Sequence, residues 1–314
     1  MPPLTRSVAL VASLLAAMSC GGDDTVAPDT NDSGTTRTLL TDAPFPYDRV
    51  ARVDLYVVSV SGSLSPDTGA TAGGNFVTLA TPRRRINVLA LQGGITDELG
   101  RASLSTGAIT AVRMQIDTDS SSITLKDGRV LTGRTTPGIQ WQSSAGRPTL
   151  DALIHEQIKV PSTGAVAVID FDVGKAFIPP QEINPASTDS GFIFSPVIRA
   201  ADATRTGTIS GIVRARNGTG APVVDASLRL YLGKPGTPEN TWSTLATAKT
   251  DASGAFKFSY VTRSTWWTGI PARAGDTYIV AVDPPRSASL GRMVVPNVVV
   301  SAGQEATLGT VILP

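Results

Sequence analysis

The fold class is predicted first from residues 165–173, which read Ala-Val-Ala-Val-Ile-Asp-Phe-Asp-Val. Apolar side chains occupy both alternations of the segment, and its Val and Ile residues favour extended backbone. Such a run is typical of a central β-strand that is covered on both faces. Asp170 and Asp172 interrupt the run two residues apart, so they are expected to project from one face of the strand.

Alternating segments that precede this run in the chain predict further strands. Apolar and polar residues alternate over 52–57 and over 112–116, which is the period of a half-buried strand. Residues 123–125 and 130–132 flank Asp127-Gly128, a dipeptide that can take the positive backbone angles of a tight hairpin. The sequence therefore predicts an all-β chain.

Helical patterns are short. Only 88–91 and 95–99 have the spacing of a helical turn, and Pro and Gly recur too often elsewhere for long helices. These two segments are predicted to be single helical turns between strands.

A second group of strands follows a polar stretch, Ala200 to Thr206, and we place a domain boundary near Thr204. Six short apolar segments with Gly-rich turns between them indicate a small antiparallel sandwich. The segments are 207–213, 223–232, 255–261, 277–282, 294–300 and 306–313. Two β-sandwich-like domains are expected, over 37–203 and 204–314.

The N-terminus has the pattern of an export signal. The apolar run Val8–Met18 follows one basic residue, Arg6, and is shorter than the roughly 20 residues that a membrane-spanning helix needs. Cys20, the only cysteine of the chain, comes next. Residues 1–19 are predicted to be a signal peptide.

The residues around the cleavage point, Ala17 to Cys20, resemble the lipobox of bacterial lipoproteins. The resemblance implies that the Cys20 thiol carries a diacylglycerol and that its amine is acylated with a chain such as palmitate. Each buried methylene would contribute about 0.8 kcal/mol to membrane binding. Cleavage without lipidation is the alternative.

Residues 20–36 are rich in Gly, Asp, Thr, Asn, Ser and Pro and lack an apolar core, so they are expected to form a flexible tether. Gly21, and not Asp, follows the cysteine, which favours a lipid anchor in the outer membrane. The folded part would then be periplasmic or surface-exposed.

Charge excludes some partners. The chain has 27 basic and 26 acidic side chains, and removal of 1–19 takes away only Arg6. A formally neutral protein lacks the positive field that nucleic-acid binding requires. The membrane contact is therefore expected through lipid alone, and no nucleic-acid partner is expected.

Two parts of the chain resemble known families. The first resembles domain of unknown function 4382, common in bacterial lipoproteins, which implies a β-rich fold and no established activity. That resemblance is carried by Leu40-Thr41-Asp42-Ala43-Pro44, Asn87-Val88-Leu89, Leu91-Gln92-Gly93, Asp170-Phe171-Asp172 and Pro196-Val197-Ile198. The second resembles the carboxypeptidase-regulatory-like, or transthyretin-like, domain, which implies an Ig-like sandwich. Its residues are Gly207–Val213, Ala221–Tyr231, Thr250, Asp251, Gly254, Ala255 and Phe256.

Motifs for catalysis are missing from the sequence. The one histidine, His155, is more simply a structural residue than a general base. The chain has no Gly-x-Ser-x-Gly, His-Glu-x-x-His or phosphate-loop motif. We therefore expect neither an enzyme nor a bound cofactor.

Oxygen ligands are the remaining candidates for a metal site. Asp117 and Asp119 have the alternate spacing that opens a calcium loop, but the rest of that motif is missing. Asp170 and Asp172 could bind calcium or, with a third acid, serve acid–base catalysis. A strand edge that faces solvent is the simpler explanation of this second pair.

The most suggestive binding feature is Trp266-Trp267, with Arg263 nearby, in a long segment that interrupts the second domain. Large aromatic side chains on surface loops are often contact residues. The alternative is that they fold back over the end of the sandwich. We therefore expect a non-catalytic envelope lipoprotein that binds a carbohydrate or an envelope protein. The alternatives are a structural component of the envelope and a hydrolase of unfamiliar design.

Overall fold

The described residues form an all-β structure, which confirms the predicted fold class. The computed structural model describes residues 32–42, 49–65, 76–141, 146–154, 156–216, 220–233, 235–262 and 277–314. Asp32–Pro314 form one compact unit. Within the described ranges there are 21 strands and two α-helices, and no helix there is long and apolar enough to cross a membrane.

The first body, residues 33–202, contains fourteen of these strands. They are β1 (Ser33–Asp42), β2 (Val50–Ser65), β3 (Phe76–Ala80), β4 (Arg84–Asn87), β5 (Asp97–Ser105), β6 (Gly107–Leu125), β7 (Val130–Leu131), β8 (Ile139–Trp141), β9 (Thr149–Ile154), β10 (Ile158–Val160), β11 (Ala165–Phe171), β12 (Phe177–Ile178), β13 (Phe192–Phe194) and β14 (Ile198–Asp202). The α-helices are α1 (Val173–Ala176) and α2 (Pro180–Ile183), and a 3-10 helix spans Val88–Gly94.

Eleven of these strands form one curled sheet. Its main path is β3-β2-β6-β9-β14-β11-β1-β5, with β4 paired to β2 and with β7 and β10 paired to β6. The two ends of the path approach each other, since a Cβ added to Gly100 of β5 would lie 3.1 Å from the Cβ of Ala80 on β3. The remaining strands, β12, β13 and β8, form a small second sheet. Apolar side chains of both sheets share one core.

Strand β11 lies inside the large sheet, as its two-sided apolar pattern predicts. It pairs in parallel with β1 and antiparallel with β14. Ile169 and Phe171 are fully buried, and each such side chain stabilises the fold by about 1.5–3 kcal/mol relative to an exposed one. The central position of residues 165–171 is confirmed.

Strand β1 begins at Ser33, inside the tether predicted over 20–36. Thr36 and Thr38 are fully buried because β1 lies between β11 and β5. The polar sequence gives no apolar pattern here, and ladder hydrogen bonds with two neighbours hold it in the sheet. Residues 33–36 therefore belong to the sheet, and residues 20–31 lie outside the described part of the chain.

The predicted half-buried strands and the hairpin are confirmed. Val53, Leu55 and Val57 of β2 are fully buried, and β6 has the same inward pattern. The Leu125 amide donates to the Arg129 carbonyl at 2.8 Å, which closes the hairpin between β6 and β7. Gly128 has a φ of 87°, as a turn that favours glycine requires.

The helical turn predicted over 88–91 is confirmed as part of a 3-10 helix, whereas the one predicted over 95–99 is wrong. Strand β5 begins at Asp97 and pairs with β1. The neighbouring strand supplies backbone partners that a local helical pattern cannot foresee.

The second body is a two-sheet sandwich. Its strands are β15 (Thr206–Ala215), β16 (Ser227–Leu232), β17 (Ser243–Lys249), β18 (Ala255–Thr262), β19 (Tyr278–Asp283), β20 (Met293–Val298) and β21 (Glu305–Leu313). One sheet has the order β18-β15-β21 and the other β17-β16-β19-β20. The pair β15–β21 is parallel and the other pairs are antiparallel. Strand β17 is not predicted from the sequence, because Ser243–Lys249 mixes Ser, Thr and Ala residues without a clear apolar alternation.

The two bodies have separate apolar cores. One core draws its residues from 40–200 and the other from 209–313. A short 3-10 turn, Ala203–Arg205, connects β14 to β15. The domain boundary near Thr204 stays a prediction.

Candidate functional site

Several residues that the sequence singles out lie outside the described residues: Cys20, His155, Arg263, Trp266 and Trp267. Lipidation at the cysteine and ligand contact by the Arg and Trp residues stay predictions. The four acidic candidates are described, and they form two unrelated pairs.

Asp117 and Asp119 lie on β6, and each contacts an arginine. Asp117 accepts hydrogen bonds from Arg147 Nε and from the Ser120 amide, both at 3.0 Å. Partial burial raises the pKa of Asp117, but these bonds lower it by more, so its pKa lies below the usual value. Asp119 lies 3.2 Å from Arg134. In the described part of the chain, no group of three His, Cys, Asp or Glu side chains is placed to hold a metal ion.

Asp170 and Asp172 meet a third carboxylate, Asp42, at one edge of the large sheet. Because β1 and β11 are parallel, their carboxyl ends coincide, and Asp42 lies opposite Phe171. Asp42 Oδ1 accepts a hydrogen bond from the Val173 amide at 3.0 Å. Asp172 follows the strand and caps α1 by accepting from the Lys175 amide at 3.1 Å.

The structure corrects the solvent-facing explanation of this acidic pair. Asp172 is 1% exposed and Asp42 is 4% exposed, while the Asp170 side chain is 24% exposed. The burial follows from the neighbours, because Asp170 lies between β1 and β14 and the second body covers this edge of the sheet. Buried carboxylates need compensating partners.

Two cations supply that compensation. Arg199 lies opposite Asp170 on β14, with Nη1 3.2 Å from Asp170 Oδ2 and Nη2 3.5 Å from Asp172 Oδ2. Lys175 Nζ lies 3.3 Å from the same Asp172 oxygen. We call Asp42, Asp170, Asp172, Lys175 and Arg199 the acid cluster.

Burial sets the protonation of two members of the acid cluster. It raises the pKa of Asp170 to about 6, against the opposing charge of Arg199 and with a smaller contribution from Asp172. It also raises the pKa of Asp42 well above its usual value, although the Val173 amide opposes the shift. Both shifts favour the uncharged form of these carboxyl groups relative to an ordinary aspartate, and Lys175 and Arg199 supply positive charge beside them.

The cavities beside the acid cluster are small. One, of about 30 Å³, is lined by Asp42, Gly94 and Ser259 among others. The other, of about 60 Å³, includes Asp170 and Tyr260. Such volumes hold a few water molecules and fall below the several hundred Å³ of small-molecule sites. The acid cluster can therefore balance charge inside the fold, but it offers no room for a substrate.

The variant Asp170→Asn is expected to change the pH dependence of stability. Because the pKa of Asp170 is raised on folding, the folded chain holds an extra proton between about pH 4 and pH 6, and stability falls as pH rises through that window. Asparagine cannot ionise. The free energy of unfolding of the variant, relative to that of the wild type, should therefore rise by on the order of 1–3 kcal/mol between pH 4 and pH 7. Urea unfolding at several pH values measures the difference.

Asp127→Asn is the matched control for this experiment. Hydrogen bonds from the Arg129 amide and guanidinium lower the pKa of Asp127. Its charged form therefore favours the folded state, and the asparagine variant should lose stability relative to the wild type as pH rises. A difference between Asp170→Asn and the wild type that does not vary with pH would contradict a raised pKa.

A larger opening, which we call the charged cleft, lies beside the acid cluster. It is bounded by α1 of the first body and by β16, β17 and β19 of the second, with a volume of about 480 Å³. This volume is in the range of small-molecule sites, which often occur between domains. Its charged lining residues are Asp172, Lys175, Arg229, Lys249, Asp283 and Arg286.

Both carboxylates of the charged cleft are held by two cations. Asp172 contacts Lys175 and Arg199, as described above. Asp283 accepts from Arg229 Nη2 at 2.7 Å and lies 3.0 Å from Arg292 Nε. Arg286 is exposed, and no hydrogen bond or ion pair joins its side chain to another described residue. The lining therefore has a formal excess of positive charge.

The sequence singles out neither Asp42, Arg199 nor the charged cleft as a site. Asp42 occurs in one of the motifs that resemble a known family, and this resemblance is the sequence feature that could have indicated it as a site residue. Arg199 stands near the end of the first body with no local pattern around it. The cleft draws on four separate stretches of chain, 172–175, 227–229, 247–249 and 283–286.

Comparison with known proteins gives one family. Residues 33–196 match the family model described as Domain of unknown function (DUF4382). No curated protein is significantly similar to the chain.

Three solved structures resemble the chain remotely. A 9R-lipoxygenase from Cyanothece PCC8801 is 14% identical with a TM-score of 0.23, and the match covers 36% of this chain and 17% of the lipoxygenase. The minor pilin GBS52 of Streptococcus agalactiae is 11% identical with a TM-score of 0.22 and coverage of 88% and 95%. The shaft pilin SpaA of Lactobacillus rhamnosus GG is 8% identical with a TM-score of 0.23 and coverage of 89% and 97%. Scores this low carry no argument about function.

Proposed function

Because the chain belongs to the family described as Domain of unknown function (DUF4382), whose description assigns no activity, we propose a function from the geometry of its own residues. The protein is a non-catalytic binding module of the bacterial envelope. Its ligand occupies the charged cleft, and its two β bodies hold the cleft open between them.

The observation that carries this proposal is the contrast between the charged cleft and the acid cluster. The cleft has about 480 Å³ and six charged residues in its lining, whereas the cavities at the acid cluster have about 30 and 60 Å³. Catalysis needs a reactive group in contact with substrate. The carboxyl groups with raised pKa lie where a substrate has no room, and the roomy cleft has its carboxylates paired with cations.

Attachment to a membrane through Cys20 completes the proposal. The signal pattern over 1–19 and the lipobox-like residues before the cysteine support it. The outer membrane is the proposed location, with the folded part periplasmic or at the surface. The second body is proposed to be of the carboxypeptidase-regulatory-like type, and Trp266-Trp267 with Arg263 is a second proposed contact region for a carbohydrate or an envelope protein.

Radiolabelled palmitate tests the anchor. We expect label in the full-length protein made in a bacterial host, and loss of both label and membrane recovery in the variant Cys20→Ser. Because the variant changes only the acceptor thiol, its secreted product should keep the β-rich circular dichroism spectrum of the wild type. Unlabelled wild-type protein recovered from the medium would contradict the anchor.

Blocking the charged cleft tests the binding function. Ser227 is exposed and lines the cleft, so the indole of Ser227→Trp should obstruct it and abolish capture of envelope glycans in a glycan-array or pull-down experiment. Ser243→Trp, an exposed serine on the neighbouring strand β17 and outside the cleft lining, is the matched control. Capture that survives in both variants would move the binding site away from the cleft.

A structural role in envelope assembly is the second candidate. The packing of both bodies into one unit favours it, because Gly94 of the first body lies directly against Ser259 of the second. A two-body unit packed in this way suits a spacer between envelope proteins. Cross-linking in cells separates the candidates: stable protein neighbours with no soluble ligand would favour assembly over capture.

A further inference from the structure

The charged cleft carries more positive than negative side chains at its lining. Lys175, Arg229, Lys249 and Arg286 face two carboxylates, Asp172 and Asp283. The outside cations that contact these carboxylates, Arg199 and Arg292, also pair with Asp170 and Glu239, so the excess is the two cations by which the four of the lining outnumber its two carboxylates. The carboxylates therefore do not cancel the positive potential that the lining offers to a ligand.

The cationic side chains of the cleft lining differ in how firmly neighbouring residues hold them. Arg229 is held by its bond to Asp283 at 2.7 Å and stacks 5.8 Å from the ring centre of Tyr231. Lys175 is held by Asp172 at 3.3 Å. Arg286 has no side-chain partner among the described residues, so its whole guanidinium is available to an incoming anion. A planar guanidinium can bind a carboxylate or a phosphate with two parallel hydrogen bonds.

The rest of the lining is suited to a hydroxyl-rich ring. Ser227 and Thr247 supply hydroxyl groups, and Pro284 and Pro285 supply a flat apolar wall. Small-molecule sites commonly combine an apolar wall with a few placed polar groups. Hydroxyls, an apolar wall and excess cations together match a sugar that carries a negative group.

We propose that the charged cleft binds an acidic sugar, with its carboxylate or phosphate on Arg286 and its ring against Pro284 and Pro285. This inference rests on the proposed binding function and narrows it to one class of ligand. Neutral sugars of the same size lack the group that Arg286 would bind, so the cleft discriminates by charge.

Titration calorimetry on the full-length protein in detergent micelles tests the proposal. Trigalacturonate is compared with neutral maltotriose, and glucose 6-phosphate with glucose. We expect the two anionic probes to bind and the neutral ones to bind at least tenfold more weakly, with affinity falling as salt is raised from about 20 to 500 mM. The better of the two anionic probes tells whether carboxylate or phosphate is the natural group.

Arg286→Gln is the decisive variant, since it removes one charge from an exposed side chain and should leave the fold intact. We expect the variant to bind the two anionic probes about tenfold more weakly than the wild type does. Arg216→Gln, an exposed arginine of the second body outside the cleft lining, should bind like the wild type.

The outcomes separate the inference from the proposed function. Equal binding of anionic and neutral probes would overturn the acidic-sugar assignment, and so would an unchanged affinity of Arg286→Gln for the anionic probes. The cleft would then be a binding site that does not select for a negative charge. Failure of all four probes would also overturn it. In that case, glycan capture blocked by Ser227→Trp would still uphold the binding function, and its absence would remove that function as well.

Discussion

Replacement of Arg199 by alanine is expected to destabilise the protein by about 3–5 kcal/mol at pH 7. The Arg199 side chain is only 16% exposed and contacts both Asp170 and Asp172. Its removal leaves two carboxylates near the buried Asp42 with Lys175 as their one remaining cation in the acid cluster. Uncompensated buried charge is costly, whereas an exposed ion pair contributes about 0–1 kcal/mol. Chemical denaturation of the wild type and the variant measures the loss.

The pH dependence identifies the cause of this loss. As pH falls through the raised pKa of Asp170, about 6, its carboxyl takes up a proton and the unpaired charge disappears. The penalty of Arg199→Ala should therefore shrink toward pH 5, and the double variant with Asp170→Asn should recover part of it at pH 7. Arg129→Ala, which removes an exposed ion pair with Asp127, should cost much less than Arg199→Ala. A large loss that is the same at all pH values would point to packing alone.

Gly94→Ala is expected to be the second most damaging change, at about 2–5 kcal/mol. Gly94 ends the 3-10 helix with a φ of 89°, and a Cβ there would lie 2.2 Å from Ser259 Oγ and 2.9 Å from Ser259 Cβ. The left-handed backbone costs alanine about 1–2 kcal/mol, and overpacking adds about 1–3 kcal/mol. Rotation of the serine hydroxyl does not relieve the contact with its Cβ. Thermal and urea unfolding measure the effect.

Gly93 provides a matched control one residue away. It also has a left-handed φ, 70°, but a Cβ there meets nothing within 4 Å. Gly93→Ala should therefore show the backbone cost alone, and the excess in Gly94→Ala reports the contact between the two bodies. Adding Ser259→Gly to Gly94→Ala should remove that excess. Equal losses in the two single variants would show that the bodies tolerate the extra methyl group.

Local periodicity was sufficient to predict the elements whose burial follows their own sequence. The two-sided apolar run at β11, the inward alternation of Val53, Leu55 and Val57, and the Asp127-Gly128 hairpin all appear as expected. Each follows from side-chain period and turn geometry within a few residues. The all-β class and the position of the central strand could therefore be predicted from local sequence patterns.

The positions of the buried polar residues follow from the pairing of distant strands and could not be predicted from local sequence. Thr36 and Thr38 are buried because β11 and β5 flank them. Their partners on β11, Ala165 and Ala167, are more than 120 residues away in the sequence. Asp42, Asp170 and Arg199 meet because a parallel and an antiparallel neighbour bring one end of three strands together. The charged cleft needs both bodies in place. No local pattern encodes such meetings, because burial of a polar side chain depends on which partners the chain topology brings to it.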